Sequence, residues 1–283
     1  MRNIKAVIVL LLAASLCFGL LAGCGTKAST ESAAPSAEAA SAAPSAAVDS
    51  DVAYIQQKGE LVVGITDFAP MDYKDESGNW VGFDAEMAAK VADALGVKVK
   101  FVEIDWDNKI MELDAKSIDC VWNGMTLTDE VLSSMECTNA YCNNAQVVVL
   151  PADKADKYQD KESLADLKFA VEAGSAGEAA AKDAGLEYTS IASQADALME
   201  VASGASDACI IDLLMAGAMI GEGTSYPDLK YTVKLTTEEY GVGCRKGSDL
   251  AAYINKVMAD SYKDGSMAEV AKKYGVQEAI IAQ

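Results

Sequence analysis

The chain has 283 residues, of which 51% are hydrophobic and 23% charged, and its formal net charge is −20. That acidity excludes nucleic acid as a partner and adhesion to anionic lipid by charge, because both need basic surface. The chain contains no histidine, which removes histidine general bases, triads and metal ligands.

Residues 1–23 read as a targeting segment. Arg2 and Lys5 form a basic start, and an uncharged apolar stretch over 6–20 follows. The next four residues, Leu21-Ala22-Gly23-Cys24, resemble the lipobox of bacterial lipoproteins. The resemblance implies cleavage before Cys24, acylation of Cys24 by palmitate-like chains, and a lipid anchor on the extracellular face of the cell membrane. Each buried methylene of such a chain contributes about 0.8 kcal/mol. Losing Arg2 and Lys5 takes the 23 basic residues to 21, against 43 acidic ones. Residues 24–50 are Ala, Ser, Pro and Thr with a few charges, and no large apolar residue precedes Val48. Such a segment cannot bury a core and is expected to be a disordered tether. The folded part is expected over 51–283, as one large domain or two modest lobes.

The pattern over that region is α/β. In chain order it predicts a helical turn at 54–58, a strand at 61–66 and a helix at 83–95, with Asp84 near its start and Gly96 after its end. A strand at 98–104 and a helix at 108–115 follow. The apolar run Cys120-Val121-Trp122 predicts a buried strand that stops at the turn residues Asn123-Gly124. Thr126, Thr128, Asp129 and Glu130 then mark a helix start. A strand end, a glycine and a helix N-terminus together expose free backbone N–H groups, and Gly124 lets a ligand approach the main chain. Further along, strands are predicted at 146–150, 169–172, 208–211, 231–235 and 241–245. Helices are predicted at 162–167, from the small-residue turn 174–177 to 182, and at 194–202, 213–220, 250–263 and 267–274.

One local pattern occurs twice. Met111-Glu112-Leu113 precedes Asp119 by eight positions, and Met199-Glu200-Val201 precedes Asp207 by the same eight. Each Asp leads into an apolar run, so helix, polar turn and buried strand recur as if in two similar lobes. Besides Cys24 the mature chain holds Cys120, Cys137, Cys142, Cys209 and Cys244, an odd number without a C-x-x-C pair. At least one is therefore unpaired internally, and no zinc motif exists. Asp105-Trp106-Asp107-Asn108 lacks the Gly and the terminal Glu of a calcium loop, and no Walker loop is present. No metal and no cofactor is expected.

Five stretches carry a resemblance by their order along the chain. They are Gly59-Glu60-Leu61-Val62-Val63-Gly64, Val81-Gly82-Phe83-Asp84-Ala85-Glu86-Met87-Ala88, Gly124-Met125-Thr126-Leu127-Thr128, Val171-Glu172-Ala173-Gly174-Ser175 and Tyr240-Gly241-Val242-Gly243-Cys244-Arg245-Lys246-Gly247. With Asp264-Gly265-Ser266, this set resembles the type II solute-binding proteins of ABC importers for polar amino acids, over nearly all of residues 58–275.

The resemblance implies a periplasmic-binding-protein type II fold: two lobes joined by two crossing strands, closing over a ligand by hinge motion. It implies one lobe from 51–145 plus 240–283 and a second from 146–239. It also implies a monomer that delivers a small polar solute to a permease and its ATPase, without enzymatic activity. A ligand-presenting sensor subunit is the alternative, and a fold relative with catalytic activity stands behind it.

Matched position by position, Asp67 and Phe68 fall where the family meets its ligand after the first strand, and Trp106 where an aromatic stacks on it. Asn123, Gly124 and Thr126 fall on the segment of main-chain and hydroxyl contacts. Glu172 precedes the second lobe's anion-binding turn, which holds Ser175 and Ala176, and Asp212 falls where a carboxylate grips an amino group. One position departs from the family: Val131 stands where an arginine usually clamps the ligand's α-carboxylate. The departure leads to the expectation of a ligand that carries an ammonium and does not depend on a free carboxylate, with Lys109 as a helper where a carboxylate is bound.

Overall fold

The computed structural model describes residues 50–283, so Cys24, the leader and all but the last residue of the expected tether lie outside the described residues. The chain starts with α1 (Asp51–Lys58), capped by Ser50, whose hydroxyl accepts the Ala53 N–H, and closed by Gly59 in the left-handed region. β1 (Glu60–Ile65) follows, then a small hairpin of β2 (Tyr73–Lys74) and β3 (Trp80–Val81). α2 (Phe83–Leu95) buries Phe83, Met87, Val91 and Leu95, an i, i+4 series that faces the sheet. Next come β4 (Lys98–Glu103), a 3₁₀ turn (Trp106–Asn108), α3 (Lys109–Asp114), β5 (Cys120–Thr126), α4 (Asp129–Ser134), β6 (Glu136–Cys137) and β7 (Cys142–Asn144).

The chain then enters a second sheet through β8 (Gln146–Pro151). It continues with β9 (Lys168–Glu172), α5 (Ala176–Asp183), β10 (Glu187–Ile191), α6 (Gln194–Ser203), β11 (Ala208–Asp212), α7 (Leu213–Met219) and β12 (Leu229–Lys234). β13 (Glu238–Cys244) returns to the first sheet, and α8 (Leu250–Lys263) and α9 (Ser266–Lys273) close the chain.

The strand orders are β4-β1-β5-β13-β6, with β7 also on β13, and β10-β9-β11-β8-β12. In each sheet the first three strands are parallel and the fourth is antiparallel to the third. The two sheets thus repeat one plan, and the fold is the two-lobed α/β fold that the resemblance implies. Apolar side chains cover both faces of each sheet, as parallel strands require. Among the described residues no helix is long and apolar enough to cross a membrane, no group of three or more ligating side chains could hold a metal ion, and the five cysteines are thiols.

The structure corrects one expectation at the centre of the chain. β5 does not stop at Asn123-Gly124 but runs on to Thr126. Its partner β13 pairs Gly243 with Val121 and Gly241 with Met125, so Trp122, Asn123 and Gly124 stand opposite Val242 alone. The turn residues mark a bulge inside the strand rather than its end. Gly124 takes φ 56°, where a side chain would be strained, and a Cβ there would overlap the Phe68 ring. The edge strand β10 and the two- or three-residue strands β2, β3, β6 and β7 have no counterpart in the sequence reading. They are too short, or too exposed in the case of β10, to leave an apolar signature.

Candidate ligand-binding site

The C-terminal ends of β1, β5, β9 and β11 converge on a cavity of about 240 Å³. In α/β sheets this end is where ligands bind. Thr66 and Phe68 follow β1; Asn123, Gly124 and Thr126 end β5; Glu172 ends β9 and Asp212 ends β11, and all of them line the cavity. Ser175 and Ala176 at the start of α5 complete one wall, and Trp106 and Lys109 another.

Of the residues singled out from sequence, only Asp67 is absent from this wall. It lines a neighbouring hollow with Glu103, Ser193 and Asp196, while Phe68 faces the main cavity and Thr66 borders both.

Hydrogen bonds fix the floor. The Thr66 N–H and hydroxyl both donate to Asn123 Oδ1, and Asn123 Nδ2 donates to Thr66 O (3.2 Å) and Asp72 Oδ2 (3.0 Å). The Gly124 N–H donates to Asp84 Oδ2 (2.7 Å), and the Tyr141 hydroxyl bonds the same carboxylate at 2.8 and 2.7 Å. Burial raises Asp84 to about 7, against the pull of Tyr141 and Gly124. The family match offers the Gly124 main chain to the ligand; here Asp84 already holds its N–H.

The strands that cross between the sheets meet beneath the cavity. Glu238 Oε1 accepts from Thr126 Oγ1 (2.9 Å), Asn144 Nδ2 (2.7 Å) and Gln146 Nε2 (2.7 Å). Asp212 accepts from Asn144, from the Tyr240 hydroxyl (2.5 Å) and from Gln194 Nε2 (2.5 Å). Burial first, and the Glu238 charge second, push Asp212 up to about 7, while Tyr240, Gln194 and Gln146 oppose the rise. Glu172 is 2% exposed, and its Oε1 has no hydrogen-bond partner among the described residues. Burial and the Asp212 charge push it up to about 8, against Gln194, Lys109 and Thr66.

Lys109 is the one cationic side chain on the wall among the described residues. Its ammonium lies 5.0 Å from the centre of the Trp106 ring and donates to Trp106 O (3.2 Å) and, across the cleft, to Gly174 O (2.9 Å). Burial lowers its pKa, while Glu130, Glu172, Asp107 and Glu178 pull the other way. Val131, at the position of the missing arginine, presents only its isopropyl group to the cavity.

Gln194 and Glu238 are not singled out by the sequence. Gln194 follows the capping Ser193 and reads as a helix start, and Glu238 falls in the polar run between the strands predicted at 231–235 and 241–245. Only the meeting of distant segments gives them a place here.

Residues 61–277 match the family model described as bacterial extracellular solute-binding proteins, family 3. The chain is similar to the arginine-binding extracellular protein ArtP of Bacillus subtilis, with 29% identity over 77% of this chain and 86% of that one. Among solved structures it is similar to a mutant of ArgBP from T. maritima, at 31% identity and TM-score 0.74, covering 80% of this chain and 99% of that one. A substrate-binding protein of an ABC uptake transporter from Streptococcus pneumoniae, solved with bound histidine, gives 28% identity and TM-score 0.74 over 82% and 98%.

Proposed function

Because this chain belongs to the bacterial extracellular solute-binding proteins of family 3, we propose that it is a membrane-tethered receptor that captures an amino acid or amino-acid-like amine and delivers it to an ABC importer. The observation that carries this reading is the cavity of about 240 Å³ between two sheets that the chain connects through its crossings at β7–β8 and β12–β13. That volume lies below the roughly 300–1,000 Å³ of pockets for drug-sized molecules, and suits a small metabolite. We assign one lobe to 51–145 with 240–283 and the other to 146–239. Binding groups are assigned to Phe68, Trp106, Asn123, Gly124, Thr126, Glu172, Ser175, Ala176 and Asp212. Asp67 is assigned to the cleft rim.

Several relatives bear names of amino-acid-binding proteins, which makes amino acids and their amines the first compounds to test. The tether rests on the lipobox at Cys24. A thermal-shift screen against amino acids, amines and small peptides should raise the melting temperature with a saturable dependence on one of them. A flat response to all would remove the receptor reading. Cys24→Ser should move the protein from the membrane fraction to the medium, and unchanged fractionation would remove the anchor.

A further inference from the structure

We propose, on the premise that the cavity receives the solute, that the ligand is an organic cation without a free carboxylate, gripped by Glu172 and Asp212. Amines, diamines and amino acids with a blocked carboxyl group fit this class.

The wall of the cavity is acidic. Asp129, Glu130, Glu172 and Asp212 line it against Lys109 alone. The only arginine after residue 2 is Arg245, which is bonded to Asp51, Asp119 and the Ile118 carbonyl (2.7 Å) at the far end of β5. No guanidinium fork therefore faces the ligand, and such a fork is the side chain that matches a carboxylate with two parallel hydrogen bonds.

Most side-chain donors of the wall are already used within the protein. Gly124, Thr66, Asn123, Thr126 and Gln194 give donors to acceptors of the protein itself. Two protons of the Lys109 ammonium go to carbonyls. Acceptors remain: Glu172 Oε1 is buried without a donor, and a carboxylate such as Asp212 accepts up to about four hydrogen bonds. An ammonium supplies three donors and the charge that both carboxylates lack.

Both helix N-termini at the cavity have carboxylates of the protein close by. α4 begins with Asp129 and Glu130. At α5, Glu178 Oε2 accepts the Gly174 N–H (2.7 Å) while Ser175 Oγ accepts the Glu178 N–H (3.1 Å). At α5 a carboxylate of the protein thus already holds the Gly174 N–H, and at α4 two acidic residues in the first turn add negative charge near the positive end of the helix dipole. Phe68 and Trp106 add apolar faces on the wall, suited to an alkyl stem, and an aromatic face also attracts a cation.

The test uses the full-length protein and calorimetry at one pH. Lysine, lysinamide and cadaverine form one series; arginine, argininamide and agmatine form a second; neutral and acidic amino acids form a third. The amide or the decarboxylated amine should bind about tenfold tighter than its free acid. A free acid that binds as tightly as its amide overturns the proposal. If only neutral or acidic amino acids bind, the ligand class is wrong and the receptor reading stands; if nothing in the three series binds, both fall. Glu172→Gln, checked for folding by its melting curve, should weaken the cation about tenfold, and unchanged affinity overturns the assignment of Glu172. Val131→Arg should move preference toward the free acid; an unchanged ranking would mean that the cavity already clamps carboxylate.

Discussion

The third strand of each sheet begins in the same way and ends differently. At the start of β5, the Asp119 N–H donates to Val62 O (2.7 Å) and its Oδ2 accepts the Val62 N–H (2.7 Å). Before β11, the Asp207 N–H donates to Lys168 O (3.0 Å) and its Oδ2 accepts the Lys168 N–H (3.1 Å). One aspartate in each lobe thus clamps both backbone groups of one residue on the neighbouring strand and sets the register. Around that shared clamp the environments diverge. Asp119 is fully buried and also binds Lys58 (2.6 Å) and Arg245 (3.4 Å), whereas Asp207 is partly exposed and has no charged partner among the described ion pairs. The other strand ends reverse the contrast: β5 ends in the neutral Asn123, Gly124 and Thr126, and β11 in the carboxylate of Asp212. The repeat unit specifies backbone pairing, and the placement of charge is free to differ between copies. Here the cations Arg245 and Lys58 lie at the end of β5 away from the cavity.

The sharpest way to break this comparison is to remove each clamp. Asp119→Ala leaves the Val62 N–H unpaired and weakens the neutralisation of a buried guanidinium, and should destabilise the protein by about 3–5 kcal/mol. Asp207→Ala removes one accepted hydrogen bond at a wetter site and should lose about 1 kcal/mol. Urea unfolding of both variants gives the ratio, and equal losses would show that the burial of Asp119 adds nothing to the clamp.

The next effect follows from the carboxylates at the cavity. Glu172 and Asp212 are raised to about 8 and about 7, and the groups that face them are Lys109, Gln194, Thr66, Glu238, Tyr240 and Asn144. The folded state holds their protons more tightly than the unfolded chain. Their stabilising contribution is therefore complete below about pH 4 and is lost as pH rises through 7–8. Every tenfold gain in proton affinity on folding corresponds to about 1.4 kcal/mol. The ligand-free protein should melt lower at pH 8.5 than at pH 5.5, and Glu172→Gln should flatten that slope. A bound cation favours the ionised forms, so its affinity should rise over the same window with release of protons, read from calorimetry in two buffers. An affinity that falls with rising pH would contradict the assigned charges.

The smallest effect tests how the two lobes meet. Gly174 has φ 68°, and a Cβ on it would lie 2.7 Å from Asp107 Oδ1 and 2.8 Å from Asp107 Cα across the cleft. The second contact is with backbone, so it cannot be relieved by turning a side chain. Gly174→Ala should hold the lobes apart and weaken ligand binding about tenfold, or 1.4 kcal/mol. Scattering should give a larger radius of gyration at saturating ligand than for the unsubstituted protein. If both values are unchanged, the closed approach at Gly174 is unimportant for binding.

Much of this arrangement is legible in the sequence. The helix of 83–95 is bounded to the residue because Gly96 stops it, and that of 250–263 because its apolar period is strong. The two Met-Glu-apolar helices before Asp119 and Asp207 do lead into equivalent strands of the two sheets. The bulge in β5 is not legible, because Asn-Gly signals a break without saying whether a partner strand pairs beyond it. That partner, β13, lies more than a hundred residues away in the chain. Glu238 is invisible for the same reason: the three donors to its Oε1 come from Thr126, Asn144 and Gln146, which no local pattern brings together. Asp67 matches a family position, but it lines the neighbouring hollow, and Thr66 and Phe68 line the cavity. A match of position carries no information on which way a side chain points.

The route of the chain through the two sheets has a consequence for how the molecule is made. Every strand of the five-stranded sheet falls between Gln146 and Lys234, one uninterrupted segment. The six-stranded sheet is different: β5 must wait for β13, and β6 and β7 have no partner in the sheet until β13 arrives. During synthesis from the N-terminus, the later-encoded sheet has all its strands before the earlier one can close. Bringing β5 and β13 together from the open chain means closing a loop of more than a hundred residues. The loop-closure entropy grows only with the logarithm of its length, and prior folding of the intervening segment shortens the effective loop. The five-stranded sheet can therefore pair all its strands before β13 is made, whereas the six-stranded sheet cannot.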